Sequence, residues 1–384
     1  MNRIDRRDFL RISAGAAVLL GASPLLADCN GSSPSATPAP STPTSQPLTR
    51  VALIKGDDLR AMARDAIDAV GGMSSVVHDG ETVFIKPNFV TIGWASIGRD
   101  PFVLGECTKP EILTTVAEEA LKAGASEVII GDATQMPSWP WDKVMMLDHS
   151  TNMAAEAQRL NAAYKGKVTL ACLDADSLAW VEVPSQTNLH TIRISGYVAN
   201  ADRVISVPVM KTHQWAQLTL SMKCFVGTTP LEFYGAKPDG SMPRQVLHGT
   251  DRSIEQVFLD IVHSVTPDLA LIDGSIGIEG NGPSAGPQNG TTIDMKQRIG
   301  GWLMVASKDP AAADATAARV TGHDVAQIRQ LNMALAQGIG EIRQEMIELV
   351  GEPFDNVRMQ WIPATPAAPG QLSSMHRHAR PARV

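Results

Sequence analysis

Residues 82–88 read Thr-Val-Phe-Ile-Lys-Pro-Asn, and residues 128–132 read Val-Ile-Ile-Gly-Asp. Each is a short apolar run that stops at turn-forming residues, the pattern of a strand buried on both faces. Between them, Glu111–Ala123 places Ile112, Leu113, Val116, Ala120 and Leu121 at helical spacing and stops at Gly124. A strand, a crossover helix and a second strand in the same sheet close as a right-handed, parallel βαβ unit. This stretch sets the fold class: α/β, with a mainly parallel sheet flanked by helices.

The alternation recurs along the chain. Val51–Ile54, Val168–Leu173, Val204–Met210, Leu269–Ile272 and Trp302–Ala306 read as strands. Met153–Tyr164, Ala216–Val226, Ser253–Ser264, Ala311–Arg319, Val325–Ala336 and Ile342–Val350 read as helices. Pro310 sits at a first helical position, where its missing N–H costs nothing, and Asp309 precedes it as a cap. Thr228–Gly249 reads as a long polar loop. The 384 residues admit one large domain or two lobes.

Four predicted strand ends carry polar groups: Lys86-Pro87-Asn88, Gly131-Asp132, Lys211-Thr212-His213 and Asp273-Gly274. Parallel strands bring such ends to one edge, where α/β proteins keep their ligands. Lys86, Lys211 and Lys223 would make a positive pocket for a small carboxylate or phosphate, with Asn88 beside them. A desolvated lysine near another also serves as base or nucleophile. His213 fits a general base, a metal ligand or a hydrogen-bonded core residue.

After Asp273 the chain is glycine-dense, with Gly280 and Gly282 flanking Asn281 and Glu279 inside the run. Such a loop lets backbone N–H groups line an anion or carbonyls meet a cation. Asp132, Asp273 and Glu279 are the candidate ligands for a divalent metal acting as a Lewis acid. Asp132 and Asp273, each beside a glycine, equally suit turns, and Asp314 faces either the site or water. Phosphate-loop and dinucleotide fingerprints, the nucleophile elbow and the His-Glu-x-x-His helix are all missing from the sequence.

The formal charge of −7 argues against a nucleic-acid partner. Asp5-Arg6-Arg7-Asp8-Phe9-Leu10-Arg11 and the weakly apolar run to Ala27 resemble a twin-arginine signal, which implies export by that machinery. Two fates fit the junction: acylation at Cys29 as a lipid anchor, or cleavage after Ala27. A Pro/Ser/Thr-rich tether follows. The predicted order is signal 1–28, tether 29–49, α/β domain 50–362 and disordered basic tail 363–384, in a periplasmic or membrane-tethered, extracytoplasmic protein. Cys107, Cys172 and Cys224 form no C-x-x-C pair, so no iron–sulfur cluster is expected, although one disulfide is open to them.

Several ordered blocks resemble the family catalogued as domain of unknown function 362, over roughly residues 51–350. They are Ile85–Val90, Ile130-Gly131-Asp132, Pro208–His213, Asp273–Gly286, and Lys308-Asp309-Pro310 with Asp314. The resemblance implies the α/β fold and a site, with no agreed reaction. Many relatives carry a cysteine-rich ferredoxin module that has no counterpart in this sequence. The family's Lys-Asn dipeptide stands here as Lys223-Cys224, and its Thr-His-Pro block as Thr108-Lys109-Pro110. The lysine segment is also faintly similar to one in nickel-pincer racemases. The expected function is a metal-assisted enzyme acting on a small anion at the strand edge; the alternative is a non-catalytic periplasmic ligand-binding or cofactor-carrier protein.

Overall fold

The structure, a computed structural model, describes residues 48–177, 179–235, 244–287 and 289–365. The twin-arginine stretch, Cys29, nearly all of the tether and the chain beyond residue 365 lie outside the described residues. The strands are β1 (Thr49–Gly56), β2 (Thr82–Pro87), β3 (Glu127–Asp132), β4 (Lys167–Cys172), β5 (Trp180–Pro184), β6 (Thr191–Ser195) and β7 (Arg203–Val207). They continue with β8 (Val209–His213), β9 (Gln217–Thr219), β10 (Leu269–Gly280), β11 (Gly290–Asp294), β12 (Trp302–Ser307) and β13 (Ile347–Gly351).

Most of these strands join one mixed sheet whose main path runs β13-β1-β12-β10-β7-β2-β3-β4. From β10 to β4 every neighbouring pair is parallel. Only β12 runs against both of its path neighbours. β5 and β6 form a separate antiparallel hairpin. From Thr49 onward the described residues make one compact unit, so the length builds one large sheet rather than two lobes.

Helices cover the sheet because their apolar stripes match its apolar rows. Pro110–Lys122 buries Ile112, Leu113, Val116, Ala117 and Ala120 against strand residues such as Val83, Ile85, Val128 and Ile130. Each fully buried Val, Leu or Ile contributes roughly 1.5–3 kcal/mol over exposure. Helix Pro310–Val320 starts where Asp309 accepts the N–H groups of Ala311 and Ala312, with Pro310 in its first turn. No helix among the described residues is long and apolar enough to cross a membrane.

Five segments depart from the sequence reading. Val204–Met210 is not one strand: Pro208 has no N–H, and the chain breaks there into β7 and β8. Lys211 and His213 therefore lie within β8 rather than beyond a strand end. Ala216–Val226 is not a helix. It pairs back on β8 as β9 and then makes the 3-10 segment Lys223–Thr228. The glycine-dense run is strand as far as Gly280, because β10 pairs first with β7 and then, past an irregularity, with β8 and β11. Ile342–Val350 holds only the 3-10 turn Gln344–Met346 and then enters β13, a parallel edge partner of β1. Val325–Ala336 is a 3-10 turn followed by the helix Arg329–Ala336.

Candidate functional site

The C-terminal ends of β2 and β3 meet in a buried ion pair. Lys86 Nζ donates to Asp132 Oδ1 at 2.5 Å and to the Pro87 carbonyl at 2.7 Å. Asp132 also accepts the N–H groups of Phe89 (2.7 Å) and Ala133 (2.8 Å). Burial pushes the Asp132 carboxyl up, while Lys86 pulls it down. The segment Lys223–Thr228 closes directly over this pair at Gly227. A Cβ there would lie 2.2 Å from Asp132 Oδ1 and 2.8 Å from Lys86 Nζ, so only glycine permits the approach.

Lys211, fully buried on β8, points its ammonium at the loops after β2. Its Nζ donates to Asn88 Oδ1 at 2.7 Å and to the Glu106 carbonyl at 2.6 Å. Burial lowers the amine to about 8. An ammonium has three N–H groups, so one remains for a ligand. The Asn88 Nδ2 has no partner among the described residues and adds a second donor beside it.

Lys223 and His213 make the chemically unusual part of the site. Lys223 is half-buried, and its amine makes no hydrogen bond or ion pair among the described residues. Burial first, and the Lys211 charge second, bring it to about 7. Burial also holds His213 well below the usual imidazole range, with Lys223 adding to the effect. Trp215 N donates to His213 Nδ1 at 3.1 Å, which puts the proton of the neutral ring on Nε2. His248 Nδ1 donates to the Arg244 carbonyl at 3.2 Å, so its Nε2 keeps the lone pair. Burial and then Lys223 bring His248 to about 4. The Trp215 and His248 rings stand edge to face at 6.2 Å. The two imidazoles thus offer one N–H donor and one basic nitrogen near an uncommitted amine.

Asp314 positions Lys223 from behind. Its Oδ1 accepts Ser221 N (2.7 Å) and Ser221 Oγ (2.5 Å), and its Oδ2 accepts Met222 N (3.1 Å), in the turn immediately before Lys223. Burial raises its carboxyl to about 7 against those hydrogen bonds.

The three carboxylates expected as a metal set are held apart. Asp132 is paired with Lys86. Asp273 accepts Lys109 N, Ser275 N and Ser275 Oγ, and lies 3.4 Å from Lys109 Nζ. Glu279 is bonded to Arg298 at 2.9 Å and to Ile362 N at 2.9 Å. Among the described residues no group of three or more His, Cys, Asp and Glu side chains gathers as a cation site. The amides of Gly280 and Gly282 are both committed within the protein. Gly280 N donates to the Ile362 carbonyl, and Gly282 N to the Gly280 carbonyl. A Cβ on Gly282 would meet the Thr212 carbonyl at 2.2 Å, so this glycine serves close packing against β8.

The cysteines Cys107, Cys172 and Cys224 are all free and buried. Burial raises their thiols to about 12, 11 and 11, so they are inert apolar residues at neutral pH. Cys224 Sγ donates to the Pro87 carbonyl at 3.1 Å and helps seat the Lys223–Thr228 segment.

Sequence reasoning missed three residues that complete the surroundings, the buried Lys109 and Glu106 and the half-buried His248. His248 closes the short helix Gln245–His248 inside the segment read as a loop, and no local pattern marks it. Lys109 pairs with Asp273; the Thr108-Lys109-Pro110 block was visible, but its ion-pair role was not. Glu106 clamps two loops, accepting from Thr91 Oγ1, Arg99 and Ala285 N, and a lone glutamate gives no sign of that.

A parallel-sheet α/β protein with buried lysines at its carboxyl strand edge is the class that the fold and this geometry define. The chain belongs to the DUF362 family, a domain of unknown function, whose sequence model matches residues 83–319. A thylakoid-associated protein of Synechocystis is 25% identical over 324 residues, covering 82% of this chain and 86% of that protein. Among solved structures, the lactate racemase apoprotein of Thermoanaerobacterium thermosaccharolyticum aligns with a TM-score of 0.37 and 10% identity, over 72% of this chain and 57% of that one. A Thermotoga maritima protein aligns with a TM-score of 0.34 and 11% identity, over 70% of this chain and 60% of that one.

Proposed function

We propose that this protein binds a small carboxylate or phosphate anion at the Lys211–Lys223 edge and catalyses proton transfer on it. Lys211 and Asn88 supply the anion contacts, and His213, His248 and Lys223 move protons. The observation that carries this reading is the Lys223 amine, desolvated and uncommitted beside two neutral imidazoles of complementary tautomer. A general base works best when its pKa lies near the working pH, and about 7 meets that condition. The proposal gives no role to a divalent cation, because Asp132, Asp273 and Glu279 each already neutralise a basic side chain. The twin-arginine resemblance supports action after export, with the tether at the membrane face.

The test is calorimetric titration of the full chain with oxalate and with inorganic phosphate, beside Lys211→Met and Lys223→Met. Saturable binding of either anion that each variant weakens by about tenfold, the loss of one charge-assisted hydrogen bond, is the expected result. Binding that both variants leave unchanged would place the anion elsewhere and overturn the assignment.

A further inference from the structure

Four lysines lie at or near this strand edge, and three are committed. Lys86 serves Asp132 and the Pro87 carbonyl. Lys109 serves Asp273 and the Ile276 carbonyl. Lys211 serves Asn88 and the Glu106 carbonyl. The Lys223 amine alone of the four has no partner among the described residues, although its backbone is fixed on three sides. Asp314 holds the turn before it, Cys224 is seated on the Pro87 carbonyl, and Gly227 is wedged over the Lys86–Asp132 pair. Holding an amine in place without giving its nitrogen a partner leaves the lone pair for a substrate.

We propose that Lys223 is a nucleophile that forms an imine with a small 2-oxo acid, whose carboxylate is held by Lys211 and Asn88. This rests on the anion-binding reading above and names the substrate class of the same site. The remaining Lys211 N–H and the Asn88 Nδ2 donors suit one carboxylate. A phosphate monoester would satisfy those donors but offers the amine no carbonyl carbon. Near pH 7 about half of Lys223 is neutral, whereas Lys211, at about 8, remains mostly cationic. Two lysines at one edge therefore divide into a nucleophile and an anion holder.

The step balances with the groups present. The Lys223 lone pair adds to the 2-carbonyl carbon, and the carbonyl π pair moves to oxygen. One proton passes from nitrogen to that oxygen, giving a carbinolamine, while His213 Nε2–H holds the oxygen by a hydrogen bond. His248 Nε2 then takes the second nitrogen proton and delivers it to the hydroxyl. Water leaves, and the nitrogen lone pair forms the C=N bond. Nothing is oxidised or reduced.

The test is reductive trapping. The full chain is incubated with glyoxylate or pyruvate and sodium cyanoborohydride at pH 7, and adducts are located by peptide mass spectrometry. Calorimetry with the same two acids runs alongside. A single secondary-amine adduct on Lys223, forming at least about tenfold faster than at any other lysine, is expected for a desolvated neutral amine. Lys223→Arg, which keeps the charge and the fold, should lose it, and Lys211→Met should slow it. Measurable binding of pyruvate without a Lys223 adduct overturns the imine and leaves the anion site standing. Labelling spread evenly over surface lysines also overturns it. Neither binding nor adduct overturns the imine as well, and the anion site then stands or falls on the oxalate and phosphate titrations.

Discussion

Replacing Lys86 by Met tests whether the buried ion pair anchors the strand edge. Lys86 is fully buried, Asp132 nearly so, and their charged atoms lie 2.5 Å apart. Met keeps most of the aliphatic volume but removes the cation and the bond to the Pro87 carbonyl. Asp132 would retain only the Phe89 and Ala133 N–H groups in a buried setting. Removing one partner from a buried pair costs about 3–5 kcal/mol, mostly through the charge left uncompensated. The pH dependence fixes the mechanism. Burial already raises the folded-state carboxyl above its ordinary value, and losing Lys86 raises it further. A raised carboxyl contributes stability below its unfolded-state pKa and loses it as pH rises through the folded value. The deficit of Lys86→Met should therefore grow from pH 5 to pH 8. Adding Asp132→Asn should return at least about 1.5 kcal/mol, the coupling expected of contacting charges. Urea denaturation followed by tryptophan fluorescence measures both variants beside the unaltered chain. A Lys86→Met deficit under about 1 kcal/mol at pH 8, or one with no pH dependence, would refute the reasoning.

Two other outcomes follow from the same geometry. Asp309→Ala removes the cap of helix Pro310–Val320 and the acceptor of Glu341 N, which should lower stability by about 1–2 kcal/mol in the same urea assay; an unchanged midpoint would count against the cap. Cys107, Cys172 and Cys224 should resist alkylation in the native chain at pH 8 and react fully in denaturant, as mass mapping would read; native labelling of any one would contradict its burial and raised thiol.

The parallel half of the sheet was legible because its strands announce themselves locally. Thr82–Pro87 and Glu127–Asp132 are apolar runs closed by turn residues, and the helix between them has a clean 3.6-residue period. The lysines and polar ends of that edge were readable for the same reason, since parallel topology fixes where strand ends go. What local pattern could not carry was pairing at a distance. Leu269–Gly280 looks like a strand and then a glycine loop, yet it is one strand because β8 and β11 supply hydrogen bonds along it. Its glycines record close packing, as at Gly277 against the Met210 carbonyl. Ile342–Val350 carries both helical and alternating periods, and the free edge of β1 decides between them. The three acids expected as a metal set are held apart for a related reason. Sequence shows acids near strand ends but not the bases across from them, and Lys86, Lys109 and Arg298 each take one. His248 was invisible because only the fold brings it to Trp215.

The most direct test of the account is the titration of Lys223 itself. The full chain, carrying lysine labelled with carbon-13 at Cε, would be followed by NMR from pH 5 to pH 11, with Lys223→Arg assigning the resonance. A single inflection near 7, well below those of surface lysines, is the result the account predicts. An inflection at or above 10 would mean an ordinary solvated ammonium, and neither the proton-transfer site nor the imine would survive it.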